Sequence, residues 1–292
     1  MIDPMNQLSV LILTRDEERN IEKCLRSVLP LTTRIFIVDS GSTDRTVEIA
    51  EGMGAVVKHH PWTSYGEQFN WGLADFDFET DWVMRLDADE EISEGLASAL
   101  RNFLSAPPEN VSGVYVRLRV YFMGRWIRYG GYYSTWLLRI FRNGVGRCEA
   151  RWMDEHIVLS YGDTVTLRHD VIDRNLKDLT FWTDKHNKYA SREILDVMSR
   201  EVTWDSSDET LKPSLSLSPA HLRRWLKNNV YLRLPLFVRP FLYFVYRYFL
   251  RFGFLDGREG LIFHVLQGFW YRFLVDAKLY EYRKSQRSNG ES

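Results

Sequence analysis

The sequence predicts an α/β fold with a mostly parallel central sheet, followed by a C-terminal α-helical segment. Over residues 8–92, four short apolar runs alternate with helical patterns, as in parallel strands that are covered on both faces. Acidic residues directly follow two of these runs, and the residues from 219 onward combine arginine with tryptophan, tyrosine and phenylalanine. These three observations separate the chain into a sheet region and a helical region.

Each element of the sheet region follows from its own pattern. Apolar runs of strand length occupy residues 8–13, 34–38, 55–57 and 82–86, and Ile21, Cys24, Leu25 and Val28 recur at helical spacing. Thr43 or Asp44 can cap a second helix that extends to about Met53. The expected order is therefore β-α-β-α-β-α-β, a Rossmann-like arrangement typical of nucleotide binding.

Later segments define the expected domain boundaries. Residues 113–121 and 137–141 are predicted strands, and residues 173–202 form a long helical pattern. A stretch rich in serine, aspartate and proline predicts a linker or mobile loop over 205–218. The sequence thus predicts a sheet domain over 1–204, this linker, and a helical module over 219–292.

Charge is distributed unevenly along the 292 residues. The net charge is −1, so no overall field favours nucleic acid as a partner. Residues 221–292 nevertheless carry 13 Lys and Arg against 5 Asp and Glu, which suggests a partner of their own. Two cysteines, Cys24 and Cys148, provide no disulfide framework and indicate a reducing compartment. The first residues lack a basic region followed by an apolar one, so we expect no signal peptide there.

Carboxylates at the strand ends are the main candidate site. Asp39 ends the second predicted strand, and Asp87 and Asp89 follow the fourth at i, i+2 spacing. Strand ends of open α/β sheets line the crevice in which ligands bind. Carboxylate oxygens suit Mg²⁺ or Mn²⁺, and these ions suit diphosphates. Arg139 and Arg142 flank a later strand and could hold a diphosphate, or equally pack against acidic neighbours.

Three further motifs lie in the sheet region, at Leu13–Glu18, Val38–Thr46 and Leu86–Glu90. In their order and spacing they resemble the motifs of the family 2 glycosyltransferases of the GT-A fold. Arg15 and Asp16 stand where the family often has Tyr-Asn. The resemblance implies a nucleotide-diphospho-sugar donor and a divalent Mn²⁺ or Mg²⁺ cofactor. Family habit favours a UDP-sugar, with GDP- and dTDP-sugars as the alternatives.

The resemblance also implies roles for individual residues. Thr14, Glu17 and Asp39 fall in the motifs that contact the donor nucleotide, Glu17 and Asp39 through base and ribose. Asp89 would bind the metal, with Asp87 contacting ribose or a metal-bound water, and His169 would contact the metal or the diphosphate. Two of these residues have simpler alternatives, because Asp39 also suits a turn or helix cap and His169 also suits a hydrogen-bonded surface position.

An inverting transfer needs a base that deprotonates the acceptor hydroxyl. The resemblance implies Glu155, which precedes an expected strand at 157–159 and matches the glutamate of the family's His-Glu pattern. Asp154 stands where that histidine would be and is a rival candidate. A solvated loop carboxylate is the structural alternative for both residues.

The basic and aromatic tail predicts a membrane-binding module. Residues 236–254 alternate bulky apolar residues with Arg239, Arg247 and Arg251, and no uncharged run reaches the ~20 residues of a spanning helix. This composition suits helices that lie in the headgroup region of an anionic membrane. An ordinary helical core or a homodimer interface is the alternative. Family 2 enzymes with such a tail resemble those that extend lipid-linked saccharides in lipopolysaccharide or capsule assembly, at the cytoplasmic face of the inner membrane.

Other functional classes fit the sequence less well. A sugar-1-phosphate nucleotidyltransferase shares the nucleotide-binding sheet, but its glycine-rich phosphate loop is missing between Thr14 and Asn20. A dinucleotide oxidoreductase lacks its G-x-G-x-x-G for the same reason. A non-catalytic membrane adaptor on a degenerate sheet would be expected to lose the strand-end carboxylates, which are present. The leading hypothesis is therefore an inverting, metal-dependent glycosyltransferase.

Overall fold

The computed structural model of the chain describes residues 7–149, 156–202, 231 and 234–290. The chain divides into two compact units, with the division between Asp178 and Leu179. The first unit is an α/β sheet domain, and the second is helical throughout its described part. This confirms the predicted fold class.

Four parallel strands form the first half of the sheet, in the spatial order β3–β2–β1–β4. Their bounds are Leu8–Thr14 for β1, Ile35–Asp39 for β2, Val56–His59 for β3 and Trp82–Asp87 for β4. The connecting helices are α1 (Ile21–Val28), α2 (Thr46–Gly52) and α3 (Tyr65–Asp75). Strands β1, β2 and β4 form here because their apolar runs are largely buried on both faces of the sheet. Strand β3 is the edge strand and is only partly covered.

The second half of the sheet is mixed. It contains β5 (Glu90–Ile92), β6 (Val111–Phe122), β7 (Arg125–Trp126), β8 (Thr135–Arg142) and β11 (Asp163–Asp173), with α4 (Glu94–Ser105) between β5 and β6. The sheet continues from β4 in the order β8–β6–β11–β5, and β7 pairs with the end of β6. Strand β8 runs antiparallel to both β4 and β6, whereas β6 and β11 are parallel. A separate pair joins β9 (Gly146–Cys148) to β10 (Ile157–Leu159).

Two apolar clusters cover the two faces of this sheet. The larger cluster joins α1 and α4 to Met84, Val114 and Ile140 on one face. The smaller cluster joins α3 to Val83 and Leu138 on the other face. Alternate residues of a strand point to opposite faces, so the face of the smaller cluster also carries residues 85 and 87 of β4.

The second unit begins with α5 (Leu179–Val202) and continues with α6 (Val238–Val245), which leads into a π-helical turn over Tyr246–Leu250. A 3₁₀ turn at Gly253–Asp256 precedes α7 (Gly257–Phe263), and a second π-helical stretch, His264–Trp270, leads into α8 (Tyr271–Gly290). Ala190 and Ile194 of α5 pack against Tyr271, Val275 and Leu279 of α8.

This packing places α5 in the second unit, whereas the sequence placed it in a sheet domain that ended at 204. Residue 173 ends β11 and the helix begins at Leu179, so the helical pattern predicted from 173 starts too early. The linker predicted over 205–218 lies outside the described residues. In the part of the chain that the structure describes, no helix combines the length and the apolar character needed to cross a membrane.

Candidate functional site

The carboxyl ends of β1, β2 and β4 meet at one edge of the sheet. Thr14 is the register partner of Asp39, and Leu13 is the partner of Asp87. The chain passes from β1 to β2 on one side and reaches β4 on the other, which makes this edge a topological switch point. The structure therefore brings Thr14, Asp39 and Asp87 together at the kind of edge where open α/β sheets bind ligands.

Asp39 is fully buried and organises the loop that follows it. Its Oδ2 accepts hydrogen bonds from the Gly41 and Ser42 amides at 2.9 and 2.8 Å. Its Oδ1 accepts from the Thr14 hydroxyl at 2.9 Å and from the Ser42 hydroxyl. Burial alone would raise the pKa of Asp39, but these hydrogen bonds hold it below its ordinary value. The turn-forming role is thus visible, and contact with a base or ribose stays a prediction.

Hydrogen bonds also join the two loops that carry the first two motifs. The Ser42 hydroxyl accepts from the Asp16 amide at 2.9 Å, and Asp16 Oδ1 accepts from the Thr43 amide at 2.7 Å. The Glu17 amide donates to the Thr46 hydroxyl at 2.7 Å. Asp16 has a φ of +54°, a conformation that Asp tolerates better than most residues. The loops after β1 and β2 are therefore fixed to each other.

Glu17 faces the same edge and has two close partners. Its Oε1 accepts from Lys177 Nζ and its Oε2 from Asn20 Nδ2, both at 2.7 Å. Burial raises the pKa of Glu17, and the Asp89 carboxylate raises it further, whereas Lys177 and Asn20 lower it. Glu17 thus lies within electrostatic range of Asp89, and its contact with a base or ribose stays a prediction.

Asp87 is held by three side chains on the sheet face that carries α3. Tyr65 donates its hydroxyl proton to Oδ1, Arg139 Nη2 donates to Oδ2 at 3.2 Å, and Arg85 Nε lies 3.7 Å from Oδ1. Burial opposes ionisation of Asp87, but Arg139 and Arg85 hold its pKa well below the ordinary value. Asp87 is consequently a fixed anion.

Arg139 bridges Asp87 to Glu90. Arg139 Nη2 also donates to Glu90 Oε1, and Glu90 Oε2 accepts from the Asp87 amide at 3.0 Å. Burial raises the pKa of Glu90, although Arg139 acts against this effect. Arg139 is 4% exposed, and its Nε and Nη1 have no hydrogen-bond partner among the described residues. A buried guanidinium with two unused donors is suited to an anionic ligand.

Asp89 lies on the turn after β4. Its Oδ2 accepts from Asn175 Nδ2 at 2.9 Å, and its carbonyl accepts from the Arg174 amide at 3.0 Å. Among the described residues, no three histidine, cysteine, aspartate or glutamate side chains form a metal cluster. Mg²⁺ and Mn²⁺ commonly use one or two protein carboxylates together with phosphate oxygens. The donor set therefore fits a cation whose coordination is completed by a bound diphosphate.

Two predicted residues lie away from this edge. Arg142 pairs in register with Trp82 at the start of β4, and it donates to the carbonyls of Val111 and Pro108. His169 is exposed and lies close to Gly95. It lies on β11, five residues before Arg174, the residue after the strand end whose amide donates to the Asp89 carbonyl. Each is thus roughly 16 Å along a strand from the turn that carries Asp87 and Asp89. The structure does not bring Arg142 or His169 to the site.

The candidate bases, Glu155 and Asp154, lie outside the described residues. Their catalytic role stays a prediction.

Several residues of the site were not predicted: Tyr65, Arg85, Glu90, Asn175 and Lys177. One of them had a sequence signal, because Arg85 interrupts an otherwise apolar strand. A charged residue inside a buried strand indicates a partner of opposite charge. Asn175 and Lys177 had no such signal, since their partners lie more than 80 residues away in sequence.

Comparison with known families gives one match that includes this edge. The family model described as Glycosyl transferase family 2 matches residues 9–155, half of the 292-residue chain. The matched region contains β1 to β9 and the strand-end residues described above.

Curated relatives align over a shorter part of the chain. An uncharacterized glycosyltransferase of Rickettsia bellii is 40% identical over 90 residues, which is 31% of this chain and 30% of that protein. Another, from Rickettsia typhi, is 34% identical over 121 residues, 41% of each chain. The matches thus span only 30% and 41% of the length of these two relatives.

Solved structures also show local similarity. Glucosyl-3-phosphoglycerate synthase from Mycobacterium tuberculosis, in complex with Mn²⁺ and UDP-glucose, is 26% identical, with a TM-score of 0.32. The match covers 39% of this chain and 44% of that one.

Proposed function

Because the chain belongs to glycosyl transferase family 2, we propose that it transfers a sugar from a UDP-sugar to a saccharide acceptor, with inversion at the anomeric carbon. The observation that carries this proposal is the charged edge at the switch point of the sheet. There, Asp89 and Glu17 lie beside the fixed pair of Asp87 and Arg139. This arrangement offers carboxylates to a cation and a buried guanidinium to a diphosphate.

We assign a different role in this reaction to each residue of the site. Asp89 would hold Mn²⁺ or Mg²⁺, and the bound cation would supply Lewis-acid neutralisation of the leaving diphosphate. Arg139 and Tyr65 fix the carboxylate of Asp87, so the turn that carries Asp89 has one orientation. Fixed charges need no reorganisation when the diphosphate develops its charge. Glu155, or its neighbour Asp154, would take the proton of the acceptor hydroxyl.

Calorimetry with a panel of nucleotide sugars tests the donor site. We expect one UDP-sugar to bind in the presence of Mn²⁺ and to bind far more weakly without it. Asp89→Asn should abolish the metal-dependent part of the affinity. Asp81→Asn is the matched control, because Asp81 is an exposed aspartate at the opposite end of β4. Loss of binding in both variants, or no nucleotide-sugar binding by the wild type, would contradict the proposal.

Transfer itself needs a second measurement. With the bound UDP-sugar as donor and a membrane extract as acceptor source, Glu155→Gln should abolish release of UDP while donor affinity is retained. If Asp154→Asn has that effect instead, Asp154 is the base. Donor binding without any transfer would favour the membrane adaptor.

We further propose that the second unit binds an anionic membrane surface, where a lipid-linked saccharide of lipopolysaccharide or capsule assembly would be the acceptor. The support is an exposed apolar surface that is unusual for a water-soluble unit. Its members stand at 44–66% exposure: Phe241, Leu242, Tyr246, Phe249, Leu250, Phe252, Phe254 and Leu255. Arg251 is exposed among them, and basic side chains near an anionic leaflet contribute about 1 kcal/mol each.

Sedimentation with liposomes tests this surface. The chain should co-sediment with phosphatidylglycerol-containing vesicles and much less with phosphatidylcholine alone. Leu250→Asp should weaken binding, whereas Leu195→Asp, at 49% exposure on α5, should not. If Leu250→Asp instead converts a dimer to a monomer without changing vesicle binding, the surface is a homodimer interface and the membrane proposal fails.

A further inference from the structure

We call the edge that carries Asp39, Asp87 and Asp89 the donor edge. The strands next to it carry a second group of charged and aromatic side chains. Its members come from the ends of β6 and β8 and from the β7 hairpin, and they lie half-buried or exposed. We call this group the arginine platform; it consists of Arg117, Arg119, Trp126, Arg128, Tyr133 and Trp136.

Two arginines of the platform share one carboxylate. Arg117 Nε lies 3.0 Å from Asp170 Oδ1, and Arg119 Nη2 contacts Asp170 Oδ2. The Tyr133 hydroxyl donates to Asp170 Oδ1 at 3.1 Å. The Asp170 side chain is 3% exposed, whereas those of Arg117 and Arg119 are 25% and 27% exposed. One buried carboxylate thus anchors two guanidinium groups that still face solvent, and the pair has an excess of positive charge.

Aromatic rings lie against these guanidinium groups. Arg119 Cζ is 4.6 Å from the Trp126 ring centroid, and Arg117 Cζ is 5.3 Å from that of Tyr133. The Trp126 and Tyr133 rings meet edge to face, with centroids 4.9 Å apart. This packing fixes the cations and leaves partly exposed ring surfaces beside them. Aromatic surface next to fixed donors is suited to a ligand with both an apolar face and an anionic group.

The platform lies on the sheet face that also carries Asp87. Register pairing places Val114 opposite Ile140, but Tyr115 opposite Leu138. Arg139 therefore has no register partner on β6 and forms a β-bulge. On the other side of this bulge, Leu138 lies on the sheet face that the smaller apolar cluster covers. Tyr115 and Arg117 are two residues apart on β6, so their side chains point to the same sheet face. This is also the face that carries Asp87.

The platform is beside the donor edge and separate from it. Because Met84 and Val114 both pair with Ile140, Arg117 on β6 stands at about the level of Asp87 on β4. One strand, β8, lies between them, so the lateral separation is roughly 10 Å. This distance leaves room for a sugar between a diphosphate at the edge and a second group on the platform.

We propose that the arginine platform binds the acceptor through an oxyanion, a phosphate or a carboxylate, carried by a saccharide. This inference rests on the proposed transferase function, since only a second substrate would need a site at this distance from the donor edge. The guanidinium groups supply paired, charge-assisted hydrogen bonds to the oxyanion. The rings of Trp126 and Tyr133 supply the surface on which a sugar stacks.

Ligand-observed NMR tests the platform with three probes: glucose 6-phosphate, glucuronic acid and methyl glucoside. The full chain is first saturated with UDP and Mn²⁺, so that anions do not report the donor edge. We expect saturation transfer to one or both anionic probes and little to methyl glucoside. Preference for glucose 6-phosphate over glucuronic acid identifies phosphate as the oxyanion, and the reverse preference identifies carboxylate.

Variants assign the binding to the platform. Arg119→Gln should weaken the anionic probe about tenfold, as expected for loss of a charge-assisted hydrogen bond. Arg128→Gln should also weaken it, and because Arg128 is exposed this variant guards against a folding defect in the first. Arg101→Gln, an exposed arginine on α4, is the matched control and should bind as the wild type does.

The outcomes separate this proposal from the transferase proposal. If neither anionic probe binds, if methyl glucoside binds equally, or if both platform variants bind normally, the platform proposal is overturned while UDP-sugar binding still supports the transferase. If the variants lose UDP-sugar affinity but keep probe binding, the platform belongs to the donor and the proposal again fails. If the probes bind in a platform-dependent manner but no nucleotide sugar binds, the transferase proposal fails and the platform stands as an anion site.

Discussion

The two units of the chain bury charges in a similar way but expose very different surfaces. In the first unit, Arg139 is buried against Asp87 and Glu90, and in the second Arg239 is buried against Asp276. Among the described residues of the first unit, the exposed large apolar side chains are few and dispersed, namely Val56, Met123, Tyr161 and Leu176. Those of the second are concentrated over 237–265. Both units therefore contain a buried arginine ion pair, and they differ in how much apolar surface they expose.

The difference suggests what each buried pair is for. The pair in the first unit lies at the proposed donor edge, where Arg139 Nε and Nη1 donate no hydrogen bond to the described residues. In the second unit, Asp276 accepts from Arg239 Nε and from the Phe237 amide, both at 2.8 Å. That second arrangement fixes the start of α6 against α8. We thus expect substitutions of the first pair to affect both stability and ligand binding, and those of the second pair to affect stability alone.

The largest effect is expected from Arg139→Met. This change leaves the buried Glu90 carboxylate without its cation and leaves the partly buried Asp87 with Arg85 alone. The free energy of unfolding should therefore fall by about 3–5 kcal/mol. UDP-sugar affinity should fall with it. Arg142→Met, on the same strand, is the control. It loses hydrogen bonds to two main-chain carbonyls and the contact of its guanidinium with the Trp82 ring, at 4.8 Å from the ring centroid, which together contribute about 1–3 kcal/mol. Urea denaturation and calorimetry measure both quantities, and equal losses of donor affinity would remove the functional distinction.

A somewhat smaller effect is expected from Arg239→Met, which leaves one buried carboxylate unpaired, at about 3 kcal/mol. The double variant Arg239→Met/Asp276→Leu should recover most of this loss, because an apolar pair of similar volume replaces the ions. Urea denaturation of the single and double variants provides the comparison. UDP-sugar affinity should stay at the wild-type level in the double variant, and a loss there would show that this pair also serves the ligand.

The smallest effect concerns pH and the second unit. Burial lowers the pKa of His186 from 6.5 to about 4, and its ring stacks on Trp182 at 3.5 Å. Because the folded state favours the neutral ring, the stability that His186 contributes is present above pH 6.5 and is lost as the pH falls toward 4. Melting temperatures near neutral pH and near pH 4 should therefore differ less in His186→Phe than in the wild type. Equal pH dependence would rule out His186 as the titrating group.

Local patterns were sufficient for the parallel half of the sheet. The apolar runs that predicted β1, β2 and β4 are buried as expected, whereas β3 lies at the sheet edge and leaves Val56 exposed. The strand ends fix where Asp39 and Asp87 lie. Strand β11 was not predicted, because its solvent-facing half reads Asp-Thr-Val-Thr-Leu-Arg-His and lacks a buried run. Its stability comes from pairing with β6, which is a long-range property.

The site was predictable only as far as strand ends determine it. Arg139 and Arg142 look equivalent in sequence. They are three residues apart on β8, so they lie beside different parts of β4, and only Arg139 contacts Asp87. Lys177 and Asn175 follow β11, so their approach to Glu17 and Asp89 required the unpredicted strand. Errors in the site therefore followed from errors in topology.

The hydrogen bonds between the loops at 15–18 and 40–46 have a consequence for the kinetics of binding. Each loop supplies donors and acceptors to the other, so neither needs a ligand in order to take up its shape. Because the loops are already ordered, binding does not need to pay the entropic cost of ordering them. Association at this edge should therefore occur in a single exponential phase whose rate rises linearly with ligand concentration, without a slower isomerisation step.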